Sequence, residues 1–404
     1  MKKIFYILFL NICFSYGQSF ERDSIPAIEI KSFSSNYKDF VVVDRIVYAI
    51  TKGDSLVSFN LKNDKIIYIE NNVVALTETS KDNLILAKTD GSIFKDIGKN
   101  QHKIDFIEGK IFKILVDKND NPIVISNKSI YYRKQHYLPQ KKSSMYGMFG
   151  GHQKGKKELV PVDVFFLDSN ERIWFGYDVG EWGGNICFFD IKNNFFSEAK
   201  SLSSHYNDKY DVWPKNKAYL LKEFPNKIKI VGNDTIVAFP HEFDLSNIKG
   251  ITEDKNGNIY TTTSLMHMML DGNIIKFIKV EKDYYKAFEL QKILEHKIFN
   301  ETTNVENSFI DIEEYLGLIQ YNPFDEFVYY YTNNGFFKII EKDNAVSKEF
   351  IFRPWITWTY GMSHSVGYQM NVIKMEFISK NELVFLTSNN GIGYFDGEKV
   401  KYFK

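Results

Sequence analysis

The sequence predicts an all-β fold, a β-propeller of about seven four-stranded blades arranged in a ring. Two observations predict it. Short apolar strands separated by polar turns recur from Phe40 to Phe395, and a whole unit of strand, turn, strand, loop and strand repeats about every 40 residues. Evenly spaced short strands are typical of sandwiches, barrels and propellers. Repetition of a complete unit at this period favours the propeller.

The clearest unit is Asp163–Asp190, in which two strands flank the tight polar turn Asp168–Glu171 and a third strand follows a Gly-rich loop. Six further units are centred on 40–60, 73–94, 111–132, 248–263, 318–340 and 372–395. The spacing lengthens after the third unit, and residues 195–247 contain strand-like segments of their own. Seven blades are therefore preferred, while six and eight stay open.

Short motifs relate the units to one another. The turn Asp168–Trp174 matches Asp254–Tyr260 and Asp117–Ile123, and the tail Thr387–Gly397 matches Thr332–Phe337. These units resemble the repeat of the two-component regulator propeller family, with its Asp-x-x-Gly-x-Ile-Trp turn and later Thr-x-x-Gly-Leu segment. In that family the propeller is a periplasmic sensor ahead of a membrane span and a kinase. Neither follows the repeats in this sequence, so the resemblance implies the fold and not the signalling role.

The N-terminus has the features of a signal peptide over residues 1–17. A basic start, Met1–Lys3, precedes the apolar run Ile4–Phe14, which is shorter than the roughly 20 residues that span a bilayer. Small residues then precede a cut before Gln18, which leaves 18–404 as a single propeller domain. Lipidation at Cys13 is disfavoured because bulky Ile12 precedes it. We expect an exported protein, periplasmic or extracellular, without stable membrane insertion after cleavage.

The charge balance argues against nucleic acid as a partner. Lys and Arg together number 51, as do Asp and Glu, so the formal net charge is zero. Nucleic-acid-binding domains usually show a basic excess or stripe.

Two segments near 283–316 have a helical pattern. Ala287, Leu290 and Leu294 recur at i, i+3 and i+7, and 304–316 carries apolar residues at spacings of four, three and four. A short helical insert between the fifth and sixth blades is therefore predicted. A strand at 27–33 is also expected, placed beside Val400–Phe403 to complete the last blade.

The Gly-rich loop 176–184 is the first candidate binding site. Its glycines permit tight backbone conformations, and it presents Tyr177, Asp178, Glu181 and Trp182 together. An aromatic ring beside two carboxylates suits a polyhydroxylated ligand. The alternative is that Trp182 packs against a neighbouring blade.

The second candidate site is the aromatic segment before the last unit. It contains Trp355, Trp358, Tyr360 and His364 behind Arg353. Trp, Tyr and Arg dominate the energetics of protein interfaces.

No metal site or cofactor is predicted. The polar turns at Asp117 and Asp254 lack the Glu that ends a calcium-binding loop, and are interpreted as β-turns. The preferred function is non-enzymatic binding of a glycan or an envelope protein through the aromatic loops. The alternative is a propeller hydrolase or lyase acting on a polysaccharide.

Overall fold

The fold is described by a computed structural model, which in its described part consists of β-strands and their connections and contains no helix. It describes residues 24–25, 36–62, 65–95, 101–138, 162, 164–178, 184–199, 228–231, 234–237, 248–264, 272–281, 284–293, 316–332, 335–342, 345–354, 372–388 and 391–403. Within these ranges there is accordingly no helix of the length and apolarity that a membrane span requires.

Seven sheets of antiparallel strands form the blades, which confirms the predicted propeller and fixes the blade number for the described residues. Consecutive strands pair in order within each blade. The blades are, in order, β2–β5 (Tyr37–Val43, Ile46–Thr51, Leu56–Asn60, Ile66–Glu70), β6–β9 (Val73–Glu78, Leu84–Lys88, Ser92–Lys95, His102–Phe106), β10–β13 (Ile111–Val116, Pro122–Ser126, Ile130–Tyr132, Gln135–Tyr137), β14–β17 (Val164–Leu167, Arg172–Asp178, Gly184–Asp190, Phe195–Ala199), β20–β23 (Ile248–Glu253, Ile259–Ser264, Gly272–Glu281, Tyr284–Ile293), β24–β27 (Leu316–Asn322, Phe327–Thr332, Gly335–Lys342, Ala345–Pro354) and β28–β31 (Val372–Phe377, Leu383–Thr387, Ile392–Phe395, Val400–Phe403).

Three strands lie outside this pattern. β1 (Ser24–Ile25) pairs in parallel with the outer strand of blade six, opposite Arg353 and Pro354. β18 (Ile228–Val231) and β19 (Asp234–Val237) form a separate hairpin between blades four and five. Among its described residues, the segment that left an eighth blade open contributes this two-stranded hairpin beyond blade four.

The core is divided into seven apolar clusters, and each cluster lies between two neighbouring blades. Blade one packs on blade seven, where the rings of Phe59 and Phe403 stack with centroids 4.4 Å apart. Blade seven takes all four of its strands from residues 372–403. The ring is thus closed by side-chain packing between the first and last blades. Residues 27–33, the expected closing strand, lie outside the described residues.

The ring has two different faces. The first strand of each blade runs to a short turn that leads into the second strand, and we call this end the turn face. At the opposite end the first strands begin, and the connections between consecutive blades arrive there. We call that end the loop face. The four long connections, within 138–163, 200–247, 294–315 and 355–371, join strand ends that lie at this face.

The predicted helix over 283–297 is wrong for the described residues, because Tyr284–Ile293 is the fourth strand of blade five. The physical reason is a β-bulge. Ile274 pairs with Gln291 and Ile275 with Glu289, so Leu290 is an extra residue in the ladder. The extra residue shifts the phase of the alternation and places Ala287 and Leu290 at helical spacing. The second predicted helix falls on 304–315, outside the described residues, and ends in β24.

Closure of the ring can be tested with Phe403→Ala. Phe403 is buried against Phe59, and truncation of a buried Phe costs about 3–5 kcal/mol. We expect a large drop in the urea midpoint. The matched control is Phe324→Ala, because Phe324 is 54% exposed and such sites usually change stability by about 0.5 kcal/mol or less. Equal shifts in the two variants would contradict closure by this contact.

Candidate functional site

The structure describes only part of the first predicted site. Tyr177 and Asp178 form the end of β15, where they pair with Asn185 and Gly184 of β16. The strands therefore extend further than the sequence indicated, and the connecting loop is limited to 179–183. Glu181 and Trp182 fall in this loop, outside the described residues.

The second predicted site lies wholly outside the described residues. Its members are Trp355, Trp358, Tyr360 and His364. They follow Pro354, where β27 ends, and precede Val372, where β28 begins. Both predicted loops are thus attached to strand ends at the loop face, although they are far apart in sequence.

A group of charged side chains that the sequence did not single out lines the central channel. Asp39 of blade one lies between two lysines. Lys113 Nζ of blade three donates to Asp39 Oδ2 at 2.9 Å, and Lys374 Nζ of blade seven donates to Asp39 Oδ1 at 2.7 Å. Lys374 also donates to the carbonyl of Phe40. We call Asp39, Lys113, Lys374, Glu376 and Glu78 the channel cluster.

The repeated geometry of the blades brings this cluster together. Each first strand that contributes Asp39, Lys113 or Lys374 has a bulge immediately before that residue, so all three occupy the same register position near the loop face. Blade two carries Ala75 at this position, and its side chain ends at Cβ. Ala75 is buried in the apolar cluster between blades two and three, so blade two adds no charge at this position.

The cluster is enclosed by blades yet still reached by solvent. The side chains of Lys113 and Lys374 expose 24% and 26% of their surface, and that of Asp39 exposes 16%. The first strands contact one another around the axis at six of the seven junctions between blades, the junction of blades three and four being the exception. We therefore interpret the exposed surface of these side chains as facing the channel. A ligand at the mouth of the channel can therefore contact these groups.

The two lysines keep Asp39 ionised. Burial alone would raise the pKa of the Asp39 carboxyl, but the ammonium groups of Lys113 and Lys374 outweigh burial and hold this pKa well below its usual range. Burial lowers the pKa of Lys113 against the attraction of Asp39. It acts on Lys374 in the same direction, but nearby carboxyl groups, Asp39 first, more than offset it and the pKa of Lys374 is raised.

The two glutamates of the cluster behave in the opposite way. Burial raises the pKa of Glu376 to about 8 against the opposing charge of Lys374, and Glu78 adds to the increase. Burial likewise raises the pKa of Glu78. The Val42 N–H donates to Glu376 Oε1 at 3.1 Å. At neutral pH, Glu376 is therefore largely protonated, in contrast to Asp39 close by.

One sequence signal could have revealed the cluster. Asp39, Lys113 and Lys374 each interrupt an apolar first strand at the same distance from its start. Taken singly, each looks like an ordinary polar residue of an alternating strand. Only an alignment of all the first strands with one another shows that the three charges share a level around one axis.

The polar turns on the turn face have a structural role. In each of the three matching turns an Asp Oδ1 accepts the N–H groups two and four residues later, with distances of 2.8–2.9 Å, at Asp117, Asp168 and Asp254. The Asp168 Oδ2 also accepts from Trp174 Nε1 at 2.9 Å. These contacts support the interpretation as β-turns. Within the described residues, no group of three or more His, Cys, Asp or Glu is placed to hold a metal ion.

Bonds between blades occupy much of the turn face. Ser80 donates to Asp120 through N–H and Oγ at 2.7 and 2.9 Å, and Ser169 donates likewise to Glu253 at 2.7 and 2.7 Å. Further contacts of this kind are Arg45 with Glu382, Lys255 with Glu326, and Asn322 Nδ2 with the Lys380 carbonyl. The turns of neighbouring blades are thus already engaged with each other.

Comparison with known proteins identifies solved structures of similar fold but does not assign the chain to a family. No protein-family profile matches the chain, and no curated protein matches its sequence. A catalytically inactive virginiamycin B lyase from Staphylococcus aureus, solved with quinupristin, is 11% identical with a TM-score of 0.48, over 91% of this chain and 97% of that one. The RRP9 WD40 repeats are 10% identical with a TM-score of 0.48, over 91% of each chain. YCF48 from Cyanidioschyzon merolae is 9% identical with a TM-score of 0.46, over 91% of this chain and 96% of that one. Similarity at this level transfers no residue and no activity.

The raised pKa of Glu376 predicts a pH-dependent stability. Because the folded-state pKa of about 8 lies above the ordinary value of 4.5, folding takes up a proton between these values. The associated stability is full below about pH 4.5 and is lost as the pH rises through about 8. Glu376→Gln keeps the acceptor for Val42 and cannot ionise. We expect its advantage in unfolding free energy over the wild type to grow between about pH 5 and 8 and then level off.

Urea unfolding at pH 5, 7 and 9, values chosen to bracket the two pKa values of about 4.5 and 8, measures this difference. Glu398→Gln is the control, because Glu398 is exposed in the last turn of blade seven. Its difference from the wild type should not vary with pH. A constant difference for Glu376→Gln as well would show that Glu376 does not carry the proton.

Proposed function

We propose that this chain is an exported, non-enzymatic binding module that holds a protein partner on its loop face. One observation carries the proposal. The ends of β15 and β27, from which the two aromatic loops depart, lie at the same face as the level of Asp39, Lys113 and Lys374. Aromatic side chains and the charged mouth of the channel are therefore attached to one face of one rigid ring.

The residue types in these loops support a protein partner in preference to a glycan. Trp355, Trp358 and Tyr360 follow Arg353, and this combination of Trp, Tyr and Arg is enriched in interface hot spots. The charges of the channel cluster also suit a partner that carries ionised side chains. A glycan, bound through Tyr177, Asp178, Glu181 and Trp182, is the other outcome that a test must separate.

The turn face supports the assignment by contrast. Its polar side chains bond to the turns of neighbouring blades, for example Ser80 to Asp120 and Ser169 to Glu253. Binding sites concentrate on loops that a rigid scaffold positions. The long connections of this chain arrive at the opposite end, which leaves the loop face for recognition.

Substitution of the loop tryptophans tests the proposal. A hot-spot Trp→Ala change costs about 2 kcal/mol or more, which is about 30-fold in affinity. We expect Trp182→Ala combined with Trp358→Ala to lose a partner that the wild-type protein captures from an envelope extract. Lys255→Ala is the control, because Lys255 lies in the turn face and pairs with Glu326.

The outcomes of this experiment are distinct. Capture of the same partner by all three proteins would overturn the assignment to the loop face. Binding of the wild-type protein to a glycan array, with loss in the tryptophan variant and no captured protein, would replace the partner class by a glycan.

Export is a second part of the proposal and has its own test. The basic start and apolar run of residues 1–14 are followed by Ser15 and Gly17 at the positions where small residues precede a signal-peptide cut. We expect the mature chain to begin at Gln18 outside the cytoplasm, as measured by mass spectrometry of its N-terminal peptide. An intact Met1 N-terminus in the cytoplasmic fraction would contradict this.

One observation favours the enzymatic alternative, a hydrolase or lyase acting on a polysaccharide. Glu376 is largely protonated at neutral pH, because its pKa is raised to about 8, and it faces a channel that solvent reaches. A carboxylic acid in this state could donate a proton to a leaving group. Release of new chain ends from a polysaccharide by the wild type, but not by Glu376→Gln, would establish this function.

A further inference from the structure

We propose that the mouth of the central channel binds a carboxylate that the protein partner presents, between Lys113 and Lys374. The carboxylate belongs to an acidic side chain or to the C-terminus of an extended segment. This inference rests on the proposed function, since it names the chemistry by which the partner is recognised. Its test is chosen so that it can fail while the proposed function stands.

The two lysines have hydrogen-bonding capacity left for a ligand. An ammonium group carries three N–H donors. Among the described residues, Lys113 Nζ donates only to Asp39, and Lys374 Nζ donates to Asp39 and to the Phe40 carbonyl. Each lysine therefore keeps at least one donor, and both side chains expose surface to the channel.

The charge of the site matches a single carboxylate. Asp39 neutralises one of the two ammonium groups. Glu376 contributes little negative charge at neutral pH, because burial raises its pKa to about 8, and burial raises the pKa of Glu78 as well. Lys113, Lys374, Asp39 and Glu376 together therefore leave positive charge in an enclosed site, where screening by salt is weaker than at an open surface.

At the register position of Asp39, Lys113 and Lys374, blade two carries Ala75 and blade five carries Gly250. Both are packed against a neighbouring blade, because Ala75 is buried in the cluster shared with blade three and a Cβ on Gly250 would lie 2.6 Å from the Ile319 N of blade six. The position is thus charged in blades one, three and seven, close to the loop face at which the partner is proposed to dock.

The same groups predict that binding weakens in alkaline solution. Glu376 is faced by Lys374 on its own strand, by Glu78 from blade two, by Asp39 and the Val42 N–H from blade one, and by the charge of Lys113 from blade three. When Glu376 loses its proton, the cluster gains one negative charge. An incoming carboxylate then meets a less positive site with one more carboxylate in it.

Calorimetric titration of the purified full-length protein with tetraglutamate tests the inference. Tetraglutamine is the uncharged control, and tetragalacturonate offers the same carboxylates on a glycan. Lys113→Met removes one charge-assisted hydrogen bond but leaves Lys374 to neutralise Asp39. We expect tetraglutamate to bind about tenfold or more weakly to this variant, while Lys113→Arg retains binding. The urea midpoint of each variant verifies that it is folded.

Glu376→Gln supplies the second readout. Its affinity for tetraglutamate should be the same at pH 7 and pH 9, whereas the affinity of the wild type should fall between these two pH values. If Lys113 had only a structural role, the ionisation of Glu376 would not change the affinity for tetraglutamate. The wild type and Glu376→Gln would then show the same dependence of affinity on pH.

Three results would overturn the inference. They are no binding of tetraglutamate, equal binding by Lys113→Met and the wild type, and binding of tetragalacturonate in place of the peptide. If the peptide fails to bind but the loop tryptophan variants still lose a captured partner, the proposed function stands and only the carboxylate site falls.

Discussion

The packing of each blade against both of its neighbours is the interaction on which the whole structure depends. A twisted four-stranded sheet with two apolar faces can bury both only between two other sheets, and seven such contacts close the circle. The stacked rings of Phe59 and Phe403, which come from the first and last blades, contribute to closing the ring. Arg45 and Glu382 add a two-pronged ion pair at the same junction. Such non-local contacts favour cooperative stability at the expense of folding speed.

The channel follows from the same geometry. The first strand of a blade has a pairing partner on one side only, and its other edge faces the axis. Charged side chains at this edge can be enclosed by protein and still reach water, which lowers the cost of burying them. Because the first strands of five blades share one bulge, the same register position recurs around the axis in these blades. A few substitutions at this position, charged in blades one, three and seven and small in blades two and five, are enough to build an asymmetric site inside a nearly symmetric ring.

Local patterns allowed much of the fold to be predicted, and the errors arose where pairing overrides them. The turn beginning at Asp168 is fixed by hydrogen bonds from nearby backbone N–H groups to the Asp168 side chain. Because these bonds are local, the turn could be recognised from sequence. The strand Tyr284–Ile293 could not, because the extra residue Leu290 gives the chain a helical spacing that only pairing with β22 corrects. The channel cluster was missed for a related reason. The bond between Lys113 and Asp39 spans blades that are not neighbours, and no local pattern contains it. The loop residues Trp182 and Trp358 stay predictions, since they lie outside the described residues.

The turn face contributes bonds between blades, and the loop face is the one at which we propose recognition. Turns that bond to their neighbours, such as Ser80 with Asp120, cannot vary without loosening the contact between blades. The four connections that join blades three to seven are attached to strand ends at the other face and are the longest in the chain. Asp39, which accepts hydrogen bonds from two lysines, lies near the loop face and also links blades. Its ion pairs tie blades one, three and seven together. A ligand charge bound there would therefore reach three blades at once, so that binding at the loop face and stability of the ring are expected to be coupled through one small cluster.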